Sequence, residues 1–170
     1  MLKIRKIPQT GLRVEAEKES PHRVVVRADR KVLRLDMPRL LGGSNRGIMP
    51  LEALLAAYAG SLNVVGHFVA KTMDFDLRDW RFTFTGQVDP RGMYGLKKVR
   101  NALPRLQVEV QVTTAESQQR LALLRRRLLE HCPVHNLLKN AGVRFRHNWK
   151  RILPEQRVAK GRRQSSRRGN

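Results

Sequence analysis

Apolar and polar positions change their period several times along this chain, and each change marks an element. Residues 12–17 (LRVEAE) alternate, and short β-rich runs follow at 24–26 and 32–35, separated by Ala28-Asp29-Arg30-Lys31. That pattern predicts a meander of strands joined by tight turns. Residues 38–50 (PRLLGGSNRGIMP) hold two prolines and three glycines, which breaks any period and predicts a loop. Pro50 then opens the longest apolar segment, LEALLAAYAGSLNVVGHFVAKTM, where proline suits a first helical turn and Glu52 sits at the positive end of the helix dipole. The predicted helix runs to about residue 73, a rod of ~36 Å at 1.5 Å per residue.

Leu51, Leu54, Leu55, Tyr58, Leu62, Val65 and Val69 form one stripe of that helix, while Ala57, Val64 and Phe68 make much of the opposite side apolar. A helix apolar nearly all round is expected to be buried, here both within its own subunit and against a second copy. Further on, Trp80, Phe82 and Phe84 alternate with Arg81, Thr83 and Thr85, and Leu106, Val108, Val110 and Val112 mark another half-buried strand. Thr113 and Thr114 offer a cap for a helix over AESQQRLALLRRRLLEH. Cys132-Pro133 interrupts it, a short helix ends at Gly142, and residues 143–149 read as a last strand.

Composition narrows the class. The chain has 170 residues and one cysteine, which excludes an internal disulfide framework and a multi-cysteine zinc site and favours a reducing, cytoplasmic setting. No apolar run is read as long enough to span a bilayer, and the charged start MLKIRKIPQTG does not resemble a secretory signal. No membrane association is expected. Residues 1–150 are assigned to one folded domain and 151–170 to a flexible basic tail.

Charge is the outlier, with 35 Lys and Arg against 14 Asp and Glu, a net +21. Residues 150–170 carry eight bases and one acid, so the body alone remains strongly basic. Such an excess attracts polyanions nonspecifically by counterion release, and the bases of residues 156–170 are expected to raise that affinity. Zinc-finger spacing, an aromatic-basic ribonucleoprotein motif and a helix-turn-helix are all absent from the sequence.

Cys132 is the first candidate for chemistry. Lying directly before Pro133, it falls at the cap of the short helix, where unpaired amides and the dipole activate a thiol, with His131 and His135 on either side. The competing reading is a small buried core residue. Pro133 separates His131 from His135, while His22, His67 and His147 bring no neighbouring ligand, so no metal or other cofactor is expected. The GGSNRG stretch lacks the lysine and spacing of a phosphate loop and is assigned to turn geometry.

The stretch PRLLGGSNRGIMPLEALLAAYAGSL resembles the signature of the OsmC/Ohr family, and EHCPVHNLL resembles that family's second cysteine motif. The order of elements agrees from about residue 12 to residue 149. The resemblance implies an α+β, OsmC-like fold, with antiparallel sheets around long central helices in an intertwined homodimer. It also implies relation to thiol-dependent hydroperoxide reductases of the oxidative stress response, which use one cysteine on the central helix and a second at the Cys-Pro position.

This sequence departs from that pattern at the site itself. Ser61 stands where the family places its first cysteine, and a hydroxyl does not form a recoverable sulfenic acid. Leu51 occupies the expected acidic position, leaving Glu52 one residue later. The family's arginine falls near Ser20 in ungapped register, and Arg23 fills that role only with a shifted turn. Two functional readings follow. One is an OsmC-like redox protein with a degenerate, one-cysteine interfacial site served by an external thiol reductant. The other is a non-catalytic module binding a small ligand in the interfacial pocket or nucleic acid through its basic surface.

Overall fold

A computed structural model describes residues 9, 11–99 and 102–154. The element order is β1 (Glu15–Ser20), β2 (Arg23–Ala28), β3 (Lys31–Leu35), α1 (Pro50–Thr72), β4 (Asp79–Gly86), β5 (Arg105–Thr113), α2 (Gln118–His131), α3 (Pro133–Asn140) and β6 (Arg144–Ile152). These residues divide between two units whose boundary falls between Ala57 and Tyr58, inside α1.

The first unit contains the antiparallel meander β1-β2-β3. Asp29 has φ 56° in the turn joining β2 to β3, a backbone region that aspartate tolerates better than most residues. Of the three strands, only Val25 is fully buried. The glycine-rich loop is organised by Asp36, 1% exposed, whose carboxylate accepts from the backbone N–H groups of Met37, Ser44 and Arg46 and from the Ser44 hydroxyl at 2.6 Å. The Ser44 hydroxyl, followed by the Arg46 amide, holds the Asp36 carboxyl far below the usual carboxylate range. The loop glycines therefore serve chain geometry around an internal carboxylate.

In the second unit β4 pairs antiparallel with β5, whereas β6 pairs parallel with β5 in register Arg105↔Arg144 through Thr113↔Ile152. This sheet is thus mixed and not wholly antiparallel. Two helices lie between β5 and β6, and a crossover of that kind returns the chain in the same direction. The inner face presents Leu106, Val108, Val110 and Val112, all at most 1% exposed, and the helices contribute Tyr58, Leu62, Leu124 and Leu128 at 0%.

Helix α1 is 23 residues long and buries Tyr58, Leu62, Gly66, Val69 and Ala70. Its mean hydropathy reaches 1.5, so by length and composition it is long enough and apolar enough to cross a membrane, contrary to the expectation that no such run exists. Helices packed within a protein core pass the same test, and the Tyr58–Ala70 face of α1 is packed in this way. Helix α2 starts later than expected. Thr113 remains in the β5 ladder opposite Ile152, and Thr114 Oγ1 accepts from the Glu116 N–H. Ser117 is the cap, its hydroxyl accepting from the Arg120 N–H at 3.2 Å. Strand β6 runs to Ile152, two residues past the boundary set at 150. The assigned basic tail beyond Pro154 lies outside the described residues.

Candidate functional site

Cys132 ends α2 and caps α3. Its own N–H donates to Leu128 O, and its sulfur accepts from the His135 N–H at 3.5 Å, as the orphan donors of a helix start require. The side chain is fully buried. Across from it, one turn beyond Tyr58 on α1, Ser61 Oγ lies 3.2 Å from Cys132 Sγ. The two positions that the family pattern pairs therefore meet in space although 71 residues separate them.

Tyr58 and His135 extend the site. The Tyr58 hydroxyl and His135 Nδ1 are 2.8 Å apart, and with Nδ1 unprotonated the hydroxyl donates. Burial, and secondarily the Cys132 sulfur, pushes the Tyr58 hydroxyl above the ordinary tyrosine range, so it remains a neutral donor. Burial, then Lys139, lowers His135. The ring of His135 lies 4.5 Å from that of Phe145 and 5.5 Å from that of His147. Sequence periodicity placed Tyr58 in an apolar stripe. The available signal was that a buried tyrosine needs a hydroxyl partner.

Both nitrogens of His147 are buried without a hydrogen-bond partner among the described residues. Burial foremost, then His135 and Arg125, lowers its pKa from 6.5 to about 4. Between these values the unfolded chain holds a proton that the native imidazole refuses, so the stability contribution is complete above pH 6.5 and declines as pH falls towards 4. His147→Phe is expected to flatten this acid limb. Urea unfolding midpoints at pH 7 and pH 4.5 test it, and an unchanged difference between the two midpoints overturns it.

Each of the remaining sequence candidates has hydrogen bonds or a setting of its own among the described residues. Glu52 Oε2 accepts from the Met49 N–H at 3.1 Å, closing the start of α1 as the third helical residue of a capping box does. Arg23 donates to Glu19 at 2.6 Å and to Ser44 Oγ at 2.8 Å, joining the meander to the Asp36-centred loop. His131 is exposed at the end of α2, while His135 is buried on α3, so the pair does not share a face. His67 is occupied with the Asn63 carbonyl through Nδ1 at 2.8 Å.

Chemically, the arrangement presents one helix-cap thiol with a serine hydroxyl beside it and an aromatic wall around it. The sulfur there accepts from a backbone N–H and lies within hydrogen-bond distance of a hydroxyl. Ser61 lacks the sulfur that would resolve an oxidised Cys132 as an internal disulfide.

Residues 42–148 match the model of the OsmC-like protein family. No curated protein matches the sequence. Among solved structures, the OsmC-like protein of Mycoplasma pneumoniae superposes with TM-score 0.69 at 17% identity, covering 86% of this chain and 99% of that one. An organic hydroperoxide resistance protein, OsmC, from Legionella pneumophila gives TM-score 0.63 at 20% identity, with 85% and 99% coverage. The organic hydroperoxide resistance protein of Elizabethkingia anophelis gives 0.66 at 13% identity, again over 85% and 99%. At these identities the superpositions establish the fold.

Proposed function

This chain belongs to the OsmC-like protein family, and from that premise we propose that it is a cytoplasmic stress-response protein in which Cys132 reacts alone with organic hydroperoxides. The observation carrying this reading is the 3.2 Å approach of Ser61 Oγ to Cys132 Sγ. It supports a family site that retains one thiol and replaces the other.

The Cys132 thiolate attacks the outer peroxide oxygen, the O–O bond breaks, and the alkoxide takes a proton and leaves as alcohol. The resulting sulfenic acid condenses with an external thiol to a mixed disulfide, releasing water. A second external thiol then displaces Cys132 and leaves as the oxidised, disulfide-linked reductant. Tyr58 and His135 hold the α1–α3 side of the site in place.

The same reading takes the protein as a homodimer. Leu54, Val64 and Phe68 on α1 and Val32 and Leu33 on β3 are apolar yet 37% to 69% exposed. A three-stranded meander with so little burial is not self-sufficient, and a second copy supplies the missing cover.

Cumene hydroperoxide consumption with excess dithiothreitol tests the proposal on protein whose mass is measured by light scattering. The expected result is a dimer whose Cys132 outpaces free cysteine, with activity abolished in Cys132→Ala. A monomer overturns the dimer. A rate no faster than free cysteine overturns the catalytic reading and favours the alternative of a non-catalytic binding module, which the complete burial of Cys132 supports.

A further inference from the structure

The corner between α2 and α3 forms an open cleft of about 470 Å³ that His135 helps to line. Its walls carry Arg125 and Arg126 from α2 and Lys139 from α3, with Glu130 as the acid among its lining residues. Asn136 Nδ2 donates to the Glu130 carbonyl at 3.1 Å and fixes one helix against the other, so the concavity is built into the corner.

Among the described residues some arginines are held by a carboxylate and others, the cleft pair included, are not. Arg23, Arg34, Arg78, Arg91 and Arg120 each meet a carboxylate within 3.2 Å. Among the described residues Arg125, Arg126 and Lys139 form no such ion pair. Three bases facing one acid leave an excess of two positive charges inside a concave wall, which a dianionic phosphate group neutralises. Guanidinium groups suit that geometry because they donate two parallel hydrogen bonds to phosphate oxygens. The volume is that of a small-molecule site, whereas a polynucleotide needs an extended track. A second concavity, of about 510 Å³, lies separately over β4, β5 and β6, where Arg105, Arg144 and Arg146 are exposed, and it serves as the comparison site.

We propose that the α2–α3 cleft binds a phosphate-bearing small molecule, with Arg125, Arg126 and Lys139 contacting the phosphate and His135 forming the floor. This site is distinct from the thiol chemistry and does not depend on it. His135 nevertheless touches both, because its backbone N–H donates to Cys132 Sγ and its ring lines the cleft.

Calorimetric titration of the full chain with inorganic pyrophosphate at physiological salt provides the test, together with NMR of the histidine ring signals. Saturable binding that shifts His135 and leaves His22 in place is the expected result. Arg126→Ala and Lys139→Ala, both at exposed positions, should each weaken it about tenfold, the loss of one charge-assisted contact, with melting temperature preserved. Arg105→Ala with Arg146→Ala should leave it unchanged. Absence of saturable binding overturns the proposal. So does binding that survives the cleft substitutions and is lost with the sheet-face pair, because the anion would then occupy the concavity over the strands.

Discussion

Ser61→Cys is expected to form a disulfide with Cys132 under mild oxidant and to raise stability in the oxidised state by about 4 kcal/mol, the chain-entropy value for a loop of 71 residues. The 3.2 Å separation of Ser61 Oγ and Cys132 Sγ must close to ~2.05 Å, and the longer Cβ–S bond of the new thiol supplies part of that approach. Both partners lie at fixed helix positions, one mid-way along α1 and the other at the cap of α3, so little entropy is lost in bringing them together. Loss of both free thiols, and a melting temperature that rises on oxidation and falls back with dithiothreitol, are the readouts. The variant should also resolve an oxidised Cys132 internally, making a dithiol the preferred reductant. If no 61–132 disulfide forms, the two family motifs do not face each other and the site described above is wrong.

Gly66→Ala should be destabilising although it adds a better helix former. A Cβ at this position would sit 1.8 Å from Trp80 Cη2 and 2.8 Å from Leu128 Cδ1. Trp80 is not free to swing away, because its indole N–H donates to Asn63 Oδ1 at 2.8 Å and its ring packs 4.9 Å from Phe82. Overpacking a core costs ~1 to 3 kcal/mol, and the overlap here places the cost at the top of that range. Helix propensity returns about 1 kcal/mol. The net loss is therefore about 2 kcal/mol, or roughly 4 to 8 °C in melting temperature for a chain of this size. Combining Gly66→Ala with Trp80→Phe should cost clearly less than the sum of the single changes, since the smaller ring vacates the overlapped space. Additive losses would show that Trp80 does not pack against α1.

The strands and helices were legible because the signals that make them are local. Alternation in residues 80–86 and 106–112 places β4 and β5, and Pro50 with the apolar run behind it places α1 within one residue of its observed end. Where local signals competed, the reading failed. Thr113 and Thr114 are good caps, but Thr113 has a strand partner in Ile152, and the cap passed to Ser117. Glu52 and Arg23 were legible as charged residues near the right motifs. Their work as a helix cap and a loop clamp depends on Met49 and Ser44, which no spacing rule singles out.

The sequence by itself determined the elements, the single thiol at a helix cap, the large positive charge and the family resemblance, because period, proline and glycine placement and residue type act over a few neighbouring positions. Only the tertiary structure decided that Ser61 meets Cys132, that Tyr58 bonds His135, that β6 runs parallel to β5 and that unpaired bases converge at the α2–α3 corner. Periodicity shows which face of a helix is apolar but not which distant segment it faces. Pairings across 71 or 77 residues are set by how α1, α2 and α3 pack over one sheet, where burial, close contact and hydrogen bonding must be satisfied together.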